Sequence, residues 1–305
     1  MKEKSAFITI IGRPNVGKSS LMNRILGQKV AIVSDKPQTT RTKITGILTK
    51  GEDQLVFIDT PGFHKPRNML DKNMNKAVGD GMADVDAAVL VVEAAPKFSL
   101  EGGLPPAESE LIKELQRRKL RAVLVINKID MLEKKEALLS LITLYTKEFD
   151  FSAVVPLSAK TGDGVDLLLD ELYKFSKPSP HYFADDDITD QPEKVMVAEM
   201  IREKLLRSLD KEVPHGIAVD LERFVERDTA DGEPIIEVEA TIICEKESHK
   251  GIIIGKGGIM LKKIGTLARR DIEEFFGIRA SVKLWVKVKE DWRNRQGLIH
   301  TFGLD

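Results

Sequence analysis

The stretch Gly12-Arg13-Pro14-Asn15-Val16-Gly17-Lys18-Ser19 places two glycines, a lysine and a hydroxyl at the spacing of a phosphate-binding loop. Backbone N–H groups in such a loop, backed by the positive end of the helix that follows, can hold the charges of a nucleoside triphosphate. Gly12 and Gly17 allow the turns, Lys18 would reach the β- and γ-phosphates, and the Ser19 hydroxyl would ligate Mg²⁺. Four further clusters suit the same ligand. Thr40, ahead of Thr39, offers a second hydroxyl to the metal from the polar, proline-containing segment Ser34 to Thr42. Asp59-Thr60-Pro61-Gly62 offers a carboxylate to the Mg²⁺ through water and a Gly62 N–H to the γ-phosphate. Asn127-Lys128-Ile129-Asp130 and Ser158-Ala159-Lys160 would choose the base. The Asp130 carboxylate can accept from N1–H and the exocyclic amine of guanine, a donor pair adenine lacks. Asn127 would brace neighbouring loops, the Lys128 stem would lie over the ring, and the Ala159 N–H would reach guanine O6.

Strands must carry these loops. Apolar runs at Phe7–Ile11, Gln54–Ile58, Ala87–Val92, Arg121–Ile126 and Ala153–Leu157 each precede a loop, and the near-continuous ones suit parallel strands covered on both faces. Lys43–Thr49 pairs with Gln54–Ile58 across the turn Gly51-Glu52-Asp53. Leu21 to Leu26 and Glu108 to Arg118 read as helices, and Val165 to Phe175 as a closing helix with Leu167, Leu168, Leu172 and Phe175 inward. Pro96 to Pro106 reads as a loop. Phe63 stands where Ras-like enzymes carry the glutamine that orients the attacking water. A phenyl ring cannot hold water, so hydrolysis should be slow and should use another group, a partner or a monovalent cation. His64 reads as a solvated loop residue rather than a base.

At 305 residues the chain should hold two domains. The single cysteine, Cys244, excludes an internal disulfide and a cysteine metal cluster and reads as a buried thiol. No run approaches the roughly 18 apolar residues of a membrane span, and no apolar signal segment follows the charged opening, so a cytosolic protein is expected. The net charge of −1 conceals an asymmetry: Glu245 to Arg295 holds 13 Lys/Arg against 7 Asp/Glu, which leaves +6 there and −7 elsewhere. That segment suits a polyanion.

The acidic, two-proline segment after Phe175 reads as a linker, giving a first domain over 1–176, a linker over 177–192 and a second domain over 193–305. A helix from Pro192 to Leu209 would turn Val195, Ala198, Ile201, Leu205 and Leu209 inward. Ile217–Phe224 and Ile235–Cys244 alternate as strands around the turn signal Asp231-Gly232, and Ser281–Lys289 reads as a last strand. Between them, Gly255-Lys256-Gly257-Gly258 precedes Leu261, Ile264, Leu267, Ala268 and Ile272 at helical spacing. This is the GXXG clamp of a KH module, which grips single-stranded RNA phosphates. Lys250, Lys256 and Lys263 would add charge, and Ile254 and Leu261 would floor the bases. A second nucleotide site would need a Gly-Lys-Ser ending that is absent. Trp285 and Trp292 suit packing and a hairpin edge better than base stacking.

Residues 5 to 175 resemble the translation-factor-related GTPases, with Gly62-Phe63 pointing to those carrying a hydrophobic residue in place of glutamine. Together the halves resemble the Era family through Gly12–Ser19, Gln38–Thr42, Asp59–Phe63, Asn127–Asp130, His249–Gly265 and Leu284–Lys289. The resemblance implies an α/β P-loop GTPase domain followed by an α+β type II KH domain. It implies Mg²⁺-dependent turnover of GTP to GDP, with Lys18, Asn15, Thr40 and Gly62 in catalytic roles and Asn15 as a potassium (K⁺) ligand. It further implies binding near the 3′ end of 16S ribosomal RNA during maturation of the 30S subunit. A monomer is expected, cytoplasmic with loose peripheral contact to the inner membrane. Two other readings are an RNA-binding protein whose G domain only senses nucleotide, and a large-subunit assembly factor with a KH-like end.

Overall fold

The alternation of apolar strand and amphipathic helix in the first half produces a doubly covered sheet. The computed structural model describes residues 3–94, 103–132, 136–210, 213–229 and 231–305. Two compact units emerge: Met1–Ala31, Thr40–Arg67 and Asp71–Asp190 form the first, and Ile32–Thr39, Asn68–Leu70 and Gln191–Asp305 the second.

In the first unit the chain runs β1 (Lys4–Ile11), α1 (Lys18–Leu26), β2 (Ile44–Lys50), β3 (Asp53–Asp59), α2 (Met69–Gly81) and β4 (Ala87–Glu93). It continues through α3 (Pro106–Arg118), β5 (Ala122–Asn127), α4 (Glu136–Glu148), β6 (Ala153–Pro156), α5 (Val165–Tyr173) and β7 (Lys177–Pro178). The sheet order is β2-β3-β1-β4-β5-β6, with β7 on β1. Only β2 and β7 pair antiparallel among its strands. Every residue of β5 is buried because helices cover both faces. The two faces make separate cores: Ile8, Ile10, Phe57, Val89 and Leu168 on one side, and Ile11, Leu90, Leu124, Leu111 and Tyr145 on the other. Burying each such Leu or Ile contributes about 1.5–3 kcal/mol. The strands therefore hold their carboxyl ends in register, and the loops read as chemical leave from those ends.

Two helices of the first unit, α2 and α4, are not among those expected from the sequence. In α2, Met74 and Val78 repeat at i, i+4. In α4, Leu141 and Tyr145 do the same, but exposed Leu139 blurs the stripe. Leu167 is 63% exposed, contrary to expectation. At 100° per residue, a stripe through Val165, Leu168 and Leu172 turns Leu167 outward. Most of the linker, up to Asp190, packs with the first unit: β7 pairs with Lys4 and Ser5, and the Gln54 side chain accepts from the Tyr182 and Phe183 N–H groups. The Pro96–Pro106 loop lies largely outside the described residues.

The second unit contains α6 (Glu193–Ser208), β8 (Ala218–Asp228), β9 (Pro234–Cys244), α7 (Glu247–Ile254), α8 (Ile259–Phe276), β10 (Arg279–Val288) and α9 (Gln296–Thr301). Its sheet order is β10-β9-β8, with β9 parallel to β10 and antiparallel to β8, the helix-strand-strand-helix-helix-strand course of a type II KH domain. The core joins Val197, Ile201 and Leu205 of α6 to Ile264, Ala268 and Ile272 of α8 over Val238, Ala240 and Ile242. Val195 is 41% exposed, so the buried face of α6 runs through Met196, Val197, Met200 and Ile201 instead. Cys244 is buried, and burial pushes its thiol pKa up.

Candidate functional site

Two separate sites are built, one at the carboxyl ends of the first unit's parallel strands and one against α8. At the first, the chain leaves β1 into Gly12–Gly17 and enters α1 at Lys18. Gly17 has φ 100°, and a Cβ there would collide with the Asn127 amide. Asn127 accordingly sits at the centre: its Nδ2–H donates to the Val16 carbonyl at 2.8 Å, and its Oδ1 accepts from the Lys128 and Ala159 N–H groups. Asn127 thereby joins the phosphate loop to the turn at Ala159. The Ala159 N–H, expected to meet a base, is here engaged by Asn127, 2.9 Å away.

Lys18 is buried, and its Nζ donates to the carbonyls of Gly12 and Arg13 at 3.2 and 3.0 Å. Burial lowers its pKa to about 8, partly opposed by the charge of Asp59. Arg13 is tied outward, its Nε donating to the buried Glu108 carboxylate, which also accepts from the Tyr145 hydroxyl. Val16 belongs to the core, and the Lys128 Nζ donates to the Asn15 carbonyl at 2.6 Å and to Glu93. The phosphate loop is therefore anchored from four directions. Glu108 and Tyr145, on α3 and α4, and Glu93, at the end of β4, carry no sequence signal, since each meets the loop only through the fold.

Ser19, Thr40 and Asp59 converge. The Ser19 Oγ lies 2.6 Å from Asp59 Oδ2 and 2.9 Å from Thr40 Oγ1. Asp59 Oδ1 is buried and has no hydrogen-bond partner among the described residues. Two hydroxyls and a carboxylate with an unused oxygen fit a hard divalent cation completed by phosphate oxygens and water. Among the described residues no three His, Cys, Asp or Glu side chains converge as an all-protein metal site. Burial raises the Asp59 pKa to about 6, against the pull of Lys18 and the Ser19 hydroxyl. An acid whose folded pKa exceeds its unfolded value lowers stability once ionised. Asp59→Asn should therefore raise the stability of the nucleotide-free chain by about 2–3 kcal/mol above pH 6, an advantage that fades as pH falls toward 4. Denaturant melts across that range check the sign; an equal or lower stability at pH 7.5 contradicts it.

Thr60 and Pro61 are buried, with the Thr60 hydroxyl on the Ile10 carbonyl at 2.9 Å. Gly62 sits so close to the phosphate loop that a Cβ would lie 2.6 Å from Pro14 N and Cα. Phe63 is half-buried and packs against the second of the two cores. His64, read as solvated, is instead turned inward: its Nδ1 lies 2.8 Å from the Gly62 carbonyl and its Nε2 3.5 Å from the buried Asp71.

At the base end, Asp130 is exposed, and its Oδ1 accepts from the buried Ser158 hydroxyl at 2.7 Å. Arg24 of α1 holds the next turn by donating to the carbonyls of Ala159 and Lys160. A salt-bridge reading of a lone arginine would not have found that contact.

In the second unit, Gly255, Gly257 and Gly258 all have positive φ, and Gly258 caps α8. At Gly255 a Cβ would also press 2.8 Å from that of Met260, so glycine is required there. Past the loop, α8 and β10 enclose a cleft of about 620 Å³. Leu261 and Leu284 give it apolar surface, while Lys262, Thr266, Arg269 and Ser281 bring charge and hydroxyls. Of the predicted residues, Gly258 and Leu261 line the cleft. Lys256 and Lys263 are exposed, Ile254 and Lys250 half-buried, and none of these four reaches it. Lys262, Thr266 and Arg269, which the sequence does not single out, lie on the face of α8 that lines the cleft. Trp292 is buried, its indole N–H on the Gly216 carbonyl at 2.9 Å, so it cannot stack on a base. Trp285 alternates with Leu284 on β10 and faces away from the cleft.

The same arrangement recurs in known proteins. The family described as 50S ribosome-binding GTPase matches residues 7–128, and the KH domain family matches 212–293. Relatives called GTPase Era in Clostridioides difficile strain 630 and Ruminiclostridium cellulolyticum are 47% and 48% identical to this chain. They align over 98% and 99% of it and over 98% of each relative. Among solved structures, an Aquifex aeolicus Era variant bound to GDP and AlF4⁻ superposes with a TM-score of 0.91 at 33% identity, covering 99% of both chains. A second, Era in complex with MgGDPNP and nucleotides 1506–1542 of 16S ribosomal RNA, gives 0.92 at 32% identity over 99% of both.

Proposed function

This chain belongs to the Era family of GTPases, and on that footing we propose that it hydrolyses GTP with Mg²⁺ and binds the 3′ region of 16S ribosomal RNA. The observation that carries this reading is one chain holding both a Ser19–Thr40–Asp59 cluster beside Lys18 and a GXXG-capped basic cleft. The MgGDPNP and RNA seen with the 32%-identical Era support both halves.

The chemistry follows from the anchored loops. Lys18, released from the Gly12 and Arg13 carbonyls, would turn to the β- and γ-phosphates. Ser19, Thr40 and Asp59 would hold Mg²⁺, which neutralises charge growing on the phosphate oxygens. Asp130 would accept from the guanine N1–H and amine. Since Phe63 is packed away and cannot orient water, turnover should be slow, and a K⁺ ion near Asn15 would supply the missing charge. Comparing turnover with K⁺ and with Na⁺ tests that part.

RNA would thread the cleft along α8, with amides of the Gly255–Gly258 turn on a phosphate and bases over Leu261 and Leu284. Arg269→Ala should weaken binding of the 3′ segment several-fold and lower the slope of log K against log salt by about 0.7. Titrations at several salt concentrations read this, and an unchanged slope removes Arg269 from the phosphate contacts.

We further propose that the chain works in the cytoplasm on the maturing 30S subunit as a nucleotide-controlled switch. Affinity for the 16S fragment should differ between the GDP and GDPNP forms. Equal affinities would defeat the switch, because a ligand that does not distinguish two states shifts nothing. A second reading, action on the large subunit, draws on the description of the family matching residues 7–128. That match stops before the RNA cleft, and competition between 16S and 23S fragments decides between the two.

A further inference from the structure

Position 63 carries no group able to orient water, yet the residue after it is held with unusual care. The His64 ring is largely buried, with 18% of the side chain exposed. Its Nδ1 lies 2.8 Å from the Gly62 carbonyl oxygen and its Nε2 3.5 Å from Asp71 Oδ1. Asp71, in the first turn of α2, is fully buried, and its other oxygen accepts from the Arg67 N–H at 2.9 Å. Asn75, one turn further on, donates its Nδ2–H to the His64 carbonyl at 2.7 Å. The backbone and ring of His64 are thus both fastened to α2.

That fastening reaches the phosphate loop through a single peptide unit. The Gly62 carbonyl faces His64, and the N–H of the same peptide, from Phe63, donates to the Gly12 carbonyl at 3.2 Å. On the Cα side, Gly62 abuts Pro14 with no room for a side chain. Phe63, half-buried against the apolar core on that face of the sheet, pins the outer end. Rotation of this peptide would swing Gly62, and with it the N–H that meets a terminal phosphate.

We propose that His64 is a positioning residue for GTP hydrolysis: its Nδ1–H bond to the Gly62 carbonyl, backed by Asp71, fixes the orientation of Gly62 toward the terminal phosphate. This rests on the GTPase reading above and adds to it a residue that acts through Gly62 rather than on the substrate. The role concerns the γ-phosphate alone, since GDP presents nothing to Gly62. Loss of His64 should therefore lower turnover and spare GDP binding, a split that general damage to the fold would not give.

The test compares wild type, His64→Leu and His64→Asn. Leucine fills similar volume without a donor, while the asparagine Nδ2 can take the place of the imidazole Nδ1 and donate to Gly62. We expect kcat for GTP to fall at least fivefold in His64→Leu, with GDP affinity within twofold of wild type and the melting temperature unchanged. His64→Asn should recover kcat to within about twofold. The inference is overturned if His64→Leu turns over GTP like wild type, if His64→Asn is as impaired as His64→Leu, or if GDP affinity and melting temperature fall together with kcat. Absence of turnover in the wild-type chain would instead defeat the GTPase reading itself.

Discussion

Asp130→Asn should cost the chain its guanine nucleotide, weakening GDP binding on the order of 10³-fold, and should give it xanthine nucleotides in exchange. The carboxylate accepts from two base donors at once. An asparagine amide keeps one acceptor for N1–H but turns its own N–H toward the exocyclic amine, donor against donor. Sites built on hydrogen bonds reject such a mismatch by on the order of 10³-fold or more, because polar groups are left unpaired in the complex. Xanthine, with a carbonyl where guanine carries the amine, restores the pairing. The fold should tolerate the change, since Ser158, whose hydroxyl now donates to Asp130 Oδ1 at 2.7 Å, can rotate to donate to the amide oxygen. Competition of GDP, XDP and ADP against a fluorescent nucleotide gives the result directly. Retained GDP affinity in the variant, or ADP matching GDP on wild type, removes Asp130 from base selection.

The residues of that site were legible because their neighbours left little choice. A strand covered on both faces must be apolar throughout, as β4 and β5 are, so the polar residues at its carboxyl end stand out as a loop with a purpose. Gly12, Lys18, Asp59, Asn127 and Ser158 could be placed in this way without knowing any contact. What the sequence hid depends on direction rather than on residue type. Leu167 and Val195 were put on the wrong side of their helices because a phase error of one residue turns a side chain by 100°. The α7 segment contains Ile252-Ile253-Ile254, a β-branched run whose local preference for a strand is overridden by packing of Ile253 into the second unit's core. His64 reads as solvated because its partner Asp71 is an acid that sits, buried, beside the apolar stripe Leu70, Met74 and Val78, and nothing in its type announces that. The same holds for Arg13, whose orientation is set by Glu108, nearly a hundred residues away in the chain. Residues that touch the ligand are constrained in type and can be read; residues that aim them are constrained only in place.

Lys18→Met carries the second large effect, and its sign differs between activity and stability. The ammonium group is buried and donates, among the described residues, to the carbonyls of Gly12 and Arg13, with burial lowering its pKa to about 8. Such a group costs free energy until a triphosphate arrives, when its charge meets negative oxygens in a site shielded from water. Removing it should lower kcat/KM for GTP by on the order of 10³-fold, the scale seen when one charge-stabilising donor is lost. Stability should respond the other way in acid. Below pH 6 Asp59, with its pKa near 6, is largely protonated and no longer offsets the lysine, so the wild type then carries an uncompensated buried cation. Methionine fills the space without that charge, and the nucleotide-free variant should melt higher than wild type at pH 5.5, the gain shrinking as Asp59 ionises toward pH 7.5. Activity and melting curves on the same preparations at both pH values decide the matter. A variant that loses turnover and also melts lower at pH 5.5 would show that Lys18 serves the fold rather than the phosphate, and the assignment of this loop would have to be abandoned.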